Sequence, residues 1–77
     1  MIRECFVTNV VYDKGRGAVM VVGEISGKDV FLEFYRKEEF IFREDMDEDY
    51  EMEKTASLLR TKIQGHAIKI DFQGDAK

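Results

Sequence analysis

One change of hydrophobic period, near Asp47, constrains the fold of this chain more than any other feature of its sequence. Upstream, apolar residues fall at every second position, the spacing of half-buried strands. Phe6, Thr8, Val10 and Tyr12 point to one side of the first run, and Cys5, Val7 and Val11 to the other. In the second run, AVMVVGEI, Val19, Val21 and Ile25 alternate with Ala18, Met20, Val22 and Glu24, and Gly23 marks a bulge or a sharp bend. The third, DVFLEFYR, sends Val30, Leu32 and Phe34 to one face and Phe31, Glu33 and Tyr35 to the other. Glycine-containing loops separate the three, which reads as an antiparallel meander. EEFIFRE, residues 38–44, continues the pattern as a shorter fourth strand.

Beyond Asp47 the period lengthens. Met52, Ala56, Leu59 and Ile63 fall at i, i+4, i+7 and i+11, one stripe of an amphipathic helix. Asp47 or Asp49 caps its start, Glu51 and Glu53 lie near its positive end, Arg60 and Lys62 near its negative end, and Gly65 stops it. HAIKIDFQ then returns to alternation, with Ile68, Ile70 and Phe72 inward and Lys69 and Asp71 outward, before the tail GDAK.

Seventy-seven residues, 44% of them hydrophobic, suffice for a single domain spanning residues 1–77. A chain of this size buries about 60% of its unfolded surface, which leaves no room for a second core. Cys5 is the one cysteine, so no intrachain disulfide forms and a Cys-rich zinc site is excluded. No apolar run has the length of a signal peptide or of a membrane span, and a soluble, cytoplasmic protein is expected. The net charge of -4 is distributed unevenly. Residues 1–37 carry six basic and five acidic groups, residues 38–54 two and nine, and residues 55–77 four and two. Nearly all the acidity therefore sits in one segment, and the pI of about 4.9 does not suit a generally nucleic-acid-like surface.

Three strands, a fourth, a helix and a closing strand match a small five-stranded OB-type barrel, mainly β with one helix. The alternative is an open antiparallel sheet with one packed helix. KGRGAVMVV followed by GKDVFLEF resembles the paired motifs of cold-shock domains, over roughly residues 6 to 35. Asp29, Val30, Phe31, Leu32 and Phe34 match the second motif, and Lys14, Gly15 and Gly17 the frame of the first. Arg16 and Ala18 stand where that family has stacking aromatics, and Glu33 where it has a histidine. The resemblance implies an OB-fold that binds single-stranded RNA or DNA through the outer face of strands two and three.

Alternation places Arg16, Ala18, Met20, Phe31, Glu33 and Tyr35 on that face. Phe31 and Tyr35 each offer a stacking platform, with Tyr12, Lys14, Arg16 and Lys28 as further nucleic-acid contacts. The plainer reading of Lys14 to Gly17 is a hairpin loop in which glycine supplies positive φ, and that of Phe31 and Tyr35 is cover by the helix, by a partner chain or in a homodimer. The competing function is a protein-interaction module, including a mimic of nucleic-acid charge that occupies a basic protein surface. Its residues are Asp45, Asp47, Glu48 and Asp49, with Phe40, Phe42 and Tyr50 as apolar anchors. Asp45, Asp47 and Asp49 have the spacing of a calcium loop, but its sixth position is Tyr50 and its twelfth Ala56, so no metal site is expected. His66 stands apart from any Ser or Cys, and no nucleophile, base and oxyanion donor assemble. The expectation is a binding module with no catalysis and no cofactor.

Overall fold

Three strands, β1 (Ile2–Asp13), β2 (Ala18–Ile25) and β3 (Lys28–Arg36), form the meander that the alternation implies. A single 3-10 turn, Lys37–Glu39, leads towards the helix α1 (Glu48–Ile63) and the last strand β4 (Ala67–Asp71). The computed structural model describes residues 1–72; Gln73 and the GDAK tail lie outside them. All strand pairs are antiparallel, in the order β3-β2-β1-β4. The described residues do not form the expected five-stranded closed barrel. The sheet is open and curled into a half-barrel, with α1 packed against β1 and β2.

The missing strand is the expected one at 38–44. Phe40 and Phe42 are half-buried and stacked on each other at 5.9 Å, while Ile41 between them is fully exposed. The alternation is real, but it reports an extended segment lying on the edge of the core, with no ladder partner among the described residues. Side-chain period follows from half-burial and does not require pairing.

Two bulges re-sort the faces read from simple alternation. In β1, Val7 pairs with Gly23 and Asn9 with Val22, which leaves Thr8 as the extra residue. Its hydroxyl donates to the Val22 carbonyl at 3.0 Å. The insertion changes parity, so Cys5 and Val7 share the buried face with Val10 and Tyr12, while Phe6 and Thr8 are exposed. In β3, Phe34 is the extra residue between Glu33 and Tyr35. Tyr35 is thereby turned to the helix side, away from the face that carries Phe31.

Gly23 lies opposite the first bulge, and the close approach there requires it. A Cβ at this position would sit 2.5 Å from the Phe6 carbonyl oxygen and 2.7 Å from Cys5 Sγ. The other tight turn is the two-residue Ser26-Gly27 hairpin, with φ of 53° and 80°, in which both residues take the left-handed conformation that primed turns need. Packed inside are Val7, Val10, Tyr12, Val19 and Val21 from the sheet, with Met52 and Ala56 from α1. Leu59 and Ile63 complete the expected helical stripe at the margin.

The helix also occupies the edge of β1 that β4 does not reach. Beyond Phe6, which pairs with Ala67, β1 has no strand on that side among the described residues. There Gln64 Nε2 donates to the Thr8 carbonyl at 3.0 Å and Arg60 Nε to the Val10 carbonyl at 2.9 Å. The Val10 N–H bonds to Asn9 Oδ1, and Val7 exchanges backbone bonds with Gly65 and His66. Arg60 of the helix, its C-cap Gln64, Asn9 and the Gly65–His66 backbone thus satisfy groups that a fifth strand would have paired.

Gly23→Ala should lower stability by about 2 kcal/mol, because the obstructing atom is backbone and cannot swing away. Gly15→Ala, where the added Cβ meets ordinary contact at 3.4 Å, should change it by less than about 0.5 kcal/mol. Urea unfolding midpoints of the two variants check this; equal stabilities would refute the close-approach account.

Candidate functional site

Asp13 builds the loop that joins β1 to β2. Its side chain accepts from the Arg16 N–H at 3.2 Å and its carbonyl from the Gly17 N–H at 2.8 Å, while Gly17 takes φ of 65°. Lys14-Gly15-Arg16-Gly17 is therefore a turn with its own internal support. Its cations are already engaged. Arg16 Nε lies 3.5 Å from Asp13 Oδ2, and Lys14 Nζ 3.5 Å from Asp49 Oδ2.

Asp49 joins the two sets of residues that the sequence separates. Asp47 caps α1 by accepting from the Tyr50 N–H at 3.1 Å, which leaves Asp49 in the first turn, facing β1. There its carboxylate accepts from the Tyr12 hydroxyl at 2.7 Å and lies 3.7 Å from Lys37 Nζ, which also approaches Glu48 at 3.8 Å. The Lys37 N–H bonds to the Gly17 carbonyl at 2.7 Å, so the 3-10 turn, the loop and the helix start are tied at one point. The Tyr12 phenol is pushed up to about 12, first by its bond to Asp49, then by burial and by the charges of Asp49, Glu53 and Glu48. The Asp49 carboxyl is held below its usual value chiefly by that hydrogen bond, against burial and with help from Lys14 and Lys37.

The aromatic candidates do not share a face. Phe31 is 68% exposed on the outer side, paired with Val22 and flanked along β3 by Asp29 and Glu33. Ala18 and Met20, on the same side, are buried. Lys28 stands at the hairpin end of β3, opposite Ile25. Tyr35 instead meets Phe40 edge-on at 6.2 Å and, with Thr55, Leu58, Leu59 and Lys62, lines a groove of about 220 Å³. A second, more polar groove of about 350 Å³ brings Arg16 together with Lys37, Glu38, Glu48 and the Phe40–Phe42 pair.

Within the acidic segment, Asp45 pairs with Arg43 at 3.4 Å, Asp47 caps the helix, Glu48 pairs with Lys37 of the 3-10 turn, and Asp49 alone ties the helix start to the sheet. Tyr50 is 63% exposed and Ile41 wholly so. Lys37, Ile41 and Leu58 are absent from the residues that motif and spacing single out. Leu58 had a visible signal, as an apolar residue off the Met52–Ile63 stripe. Lys37 had none, since its partners are distant in sequence.

Cys5 is buried, and burial pushes its thiol up; His66 is exposed, with its carbonyl bonded to Val7. Among the described residues no group of three or more His, Cys, Asp or Glu side chains is placed to hold a metal ion, and no helix is long and apolar enough to cross a membrane. Among protein-family models, curated proteins and solved structures, none matches this chain significantly.

The Tyr12–Asp49 contact stabilises the fold through both partners. Because the phenol is raised from 10.0, its contribution is complete below that value and lost as pH rises through about 12. Because the carboxyl is lowered from 3.8, its contribution is present above that value and lost as pH falls through the depressed one. Ultraviolet titration of the three tyrosines should show one phase at about 12 that moves down in Asp49→Asn; a titration unaffected by that substitution would refute the contact.

Proposed function

We propose that this chain is a non-catalytic protein-interaction module that presents carboxylates and exposed apolar anchors to a basic protein surface. One observation carries the reading: the cations of the β1–β2 loop are paired with Asp13 and Asp49, while the start of α1 is tied to the sheet through Tyr12 and to the 3-10 turn through Lys37. Residues 38–54 carry nine acidic groups against two basic ones, and Ile41 and Tyr50 stand exposed among them. Exposed apolar anchors inside a charged rim are the arrangement that gives affinity at the centre and steering at the edge. The tied helix start also loses little conformational entropy on binding. The same distribution suits a groove that otherwise holds nucleic acid, so inhibition by charge mimicry is the specific form proposed.

Single-stranded RNA or DNA is the second reading, favoured by the exposure of Phe31. Against it stand the acidic neighbours of Phe31 and the position of Tyr35 on the opposite side. Stacking then rests on one ring, and phosphate meets carboxylates.

Fluorescence anisotropy at low salt separates the two. A labelled arginine-rich peptide should bind, and combined Glu44→Lys, Asp45→Lys and Glu53→Lys should abolish binding while Phe31→Ala leaves it unchanged. Asp47 and Asp49 are kept in that variant because they hold the fold. Labelled single strands should show no binding at concentrations on the order of tens of micromolar. Saturable strand binding that disappears with added salt and with Phe31→Ala would replace the protein reading with the nucleic-acid one.

A further inference from the structure

β3 is an edge strand whose outer side no described residue pairs, and α1 packs over β1 and β2. Such an edge presents a row of free N–H and C=O groups, which proteins usually blunt. The side chains along this edge are ordered. On the outer face Asp29, Phe31 and Glu33 alternate as acid, aromatic, acid, and Glu24 lies across from Asp29 on β2. On the inner face Val30 and Leu32 are half-buried. Asp29 and Glu24 have no ion-pair partner among the described residues, and Glu33 has Arg36 at 3.6 Å.

We infer that the β3 edge accepts an extended segment of a different protein as an added strand, with basic residues opposite Asp29 and Glu33 and an apolar residue opposite Phe31. Backbone pairing supplies the docking, and alternate side chains supply the selection. Opposite charges facing across a strand pair stabilise it, and an apolar side chain against Phe31 covers a large exposed ring. A second copy of this chain fits the edge poorly. Antiparallel self-pairing centred on Phe31 sets Asp29 against Glu33, and centred on Glu33 sets that carboxylate against itself. Like charges oppose one another in both registers. This surface is separate from residues 38–54, so the inference stands or falls apart from the reading above.

The probe is a labelled, end-blocked peptide Thr-Lys-Val-Leu-Val-Lys-Thr, followed by anisotropy at low salt, with hydrogen exchange of the β3 amides as a second readout. Saturable binding is expected, with protection gained in β3. Phe31→Ala should weaken it about tenfold, and Asp29→Lys with Glu33→Lys should do so at least as much. The triple charge reversal in the acidic segment should leave it unaltered. Alternate N-methylation of the probe keeps its charges but removes its strand-pairing donors, and should abolish binding. Equal affinity of the N-methylated probe, or of an analogue with Glu in place of Lys, would overturn the inference. So would a concentration-dependent dimer that itself protects β3, since the edge would then belong to a second copy.

Discussion

The contact between Gly23 and the backbone of β1 at Phe6 is the constraint on which the rest of the structure depends. A glycine there allows β1 to approach β2 closely enough to carry the extra residue Thr8. That insertion changes the parity of the strand, so Cys5, Val7, Val10 and Tyr12 all face the core. The β1–β4 pairing ends at Phe6, just before the bulge, and helices and bulges are the usual means by which a sheet edge is closed without a further strand. Gln64 and Arg60 then reach the Thr8 and Val10 carbonyls. Each such bond contributes about 1 kcal/mol, somewhat more where the donor is charged. The half-barrel is therefore finished by a helix.

Charge is arranged around a second fixed point, Asp49. Its bond to Tyr12 and its proximity to Lys14 and Lys37 place the acidic helix start against the basic loop, so that the two neutralise each other locally. Exposed pairs of this kind add little stability one by one. Here two lysines meet one carboxylate that is itself bonded to the Tyr12 phenol, and the cluster fixes position more than it adds energy. The outer face of β3 carries Asp29 and Glu33, and residues 44–53 carry seven carboxylates. Both surfaces suit cations better than phosphates, which is why the protein reading is preferred over the nucleic-acid one.

Much of this was legible in the chain itself. The three-strand meander, the stripe Met52–Ala56–Leu59–Ile63, the Asp47 cap, the Gly65 stop and the inward Ile68 and Ile70 all follow from local periodicity and capping chemistry. The expected strand at 38–44 does not pair, because alternation records which side of an extended segment is covered, and Phe40 and Phe42 are covered without a ladder. Phe31 and Tyr35 do not share the expected face, because the bulge at Phe34 leaves no local mark. Gly23 did carry a mark, but it did not say which strand would bulge. Lys37 was invisible as a site residue because its carboxylate partners lie more than ten positions further along the chain.

By itself, the sequence determined the strands, the helix, their order and the concentration of acid between them, because period, caps and composition are properties of neighbouring residues. The tertiary structure alone decided that the sheet stays open, that Tyr35 and Phe31 part company, and that the loop's cations are spent on the protein's own carboxylates. Each of these is set by which backbones approach one another across the fold, and no local pattern encodes that distance.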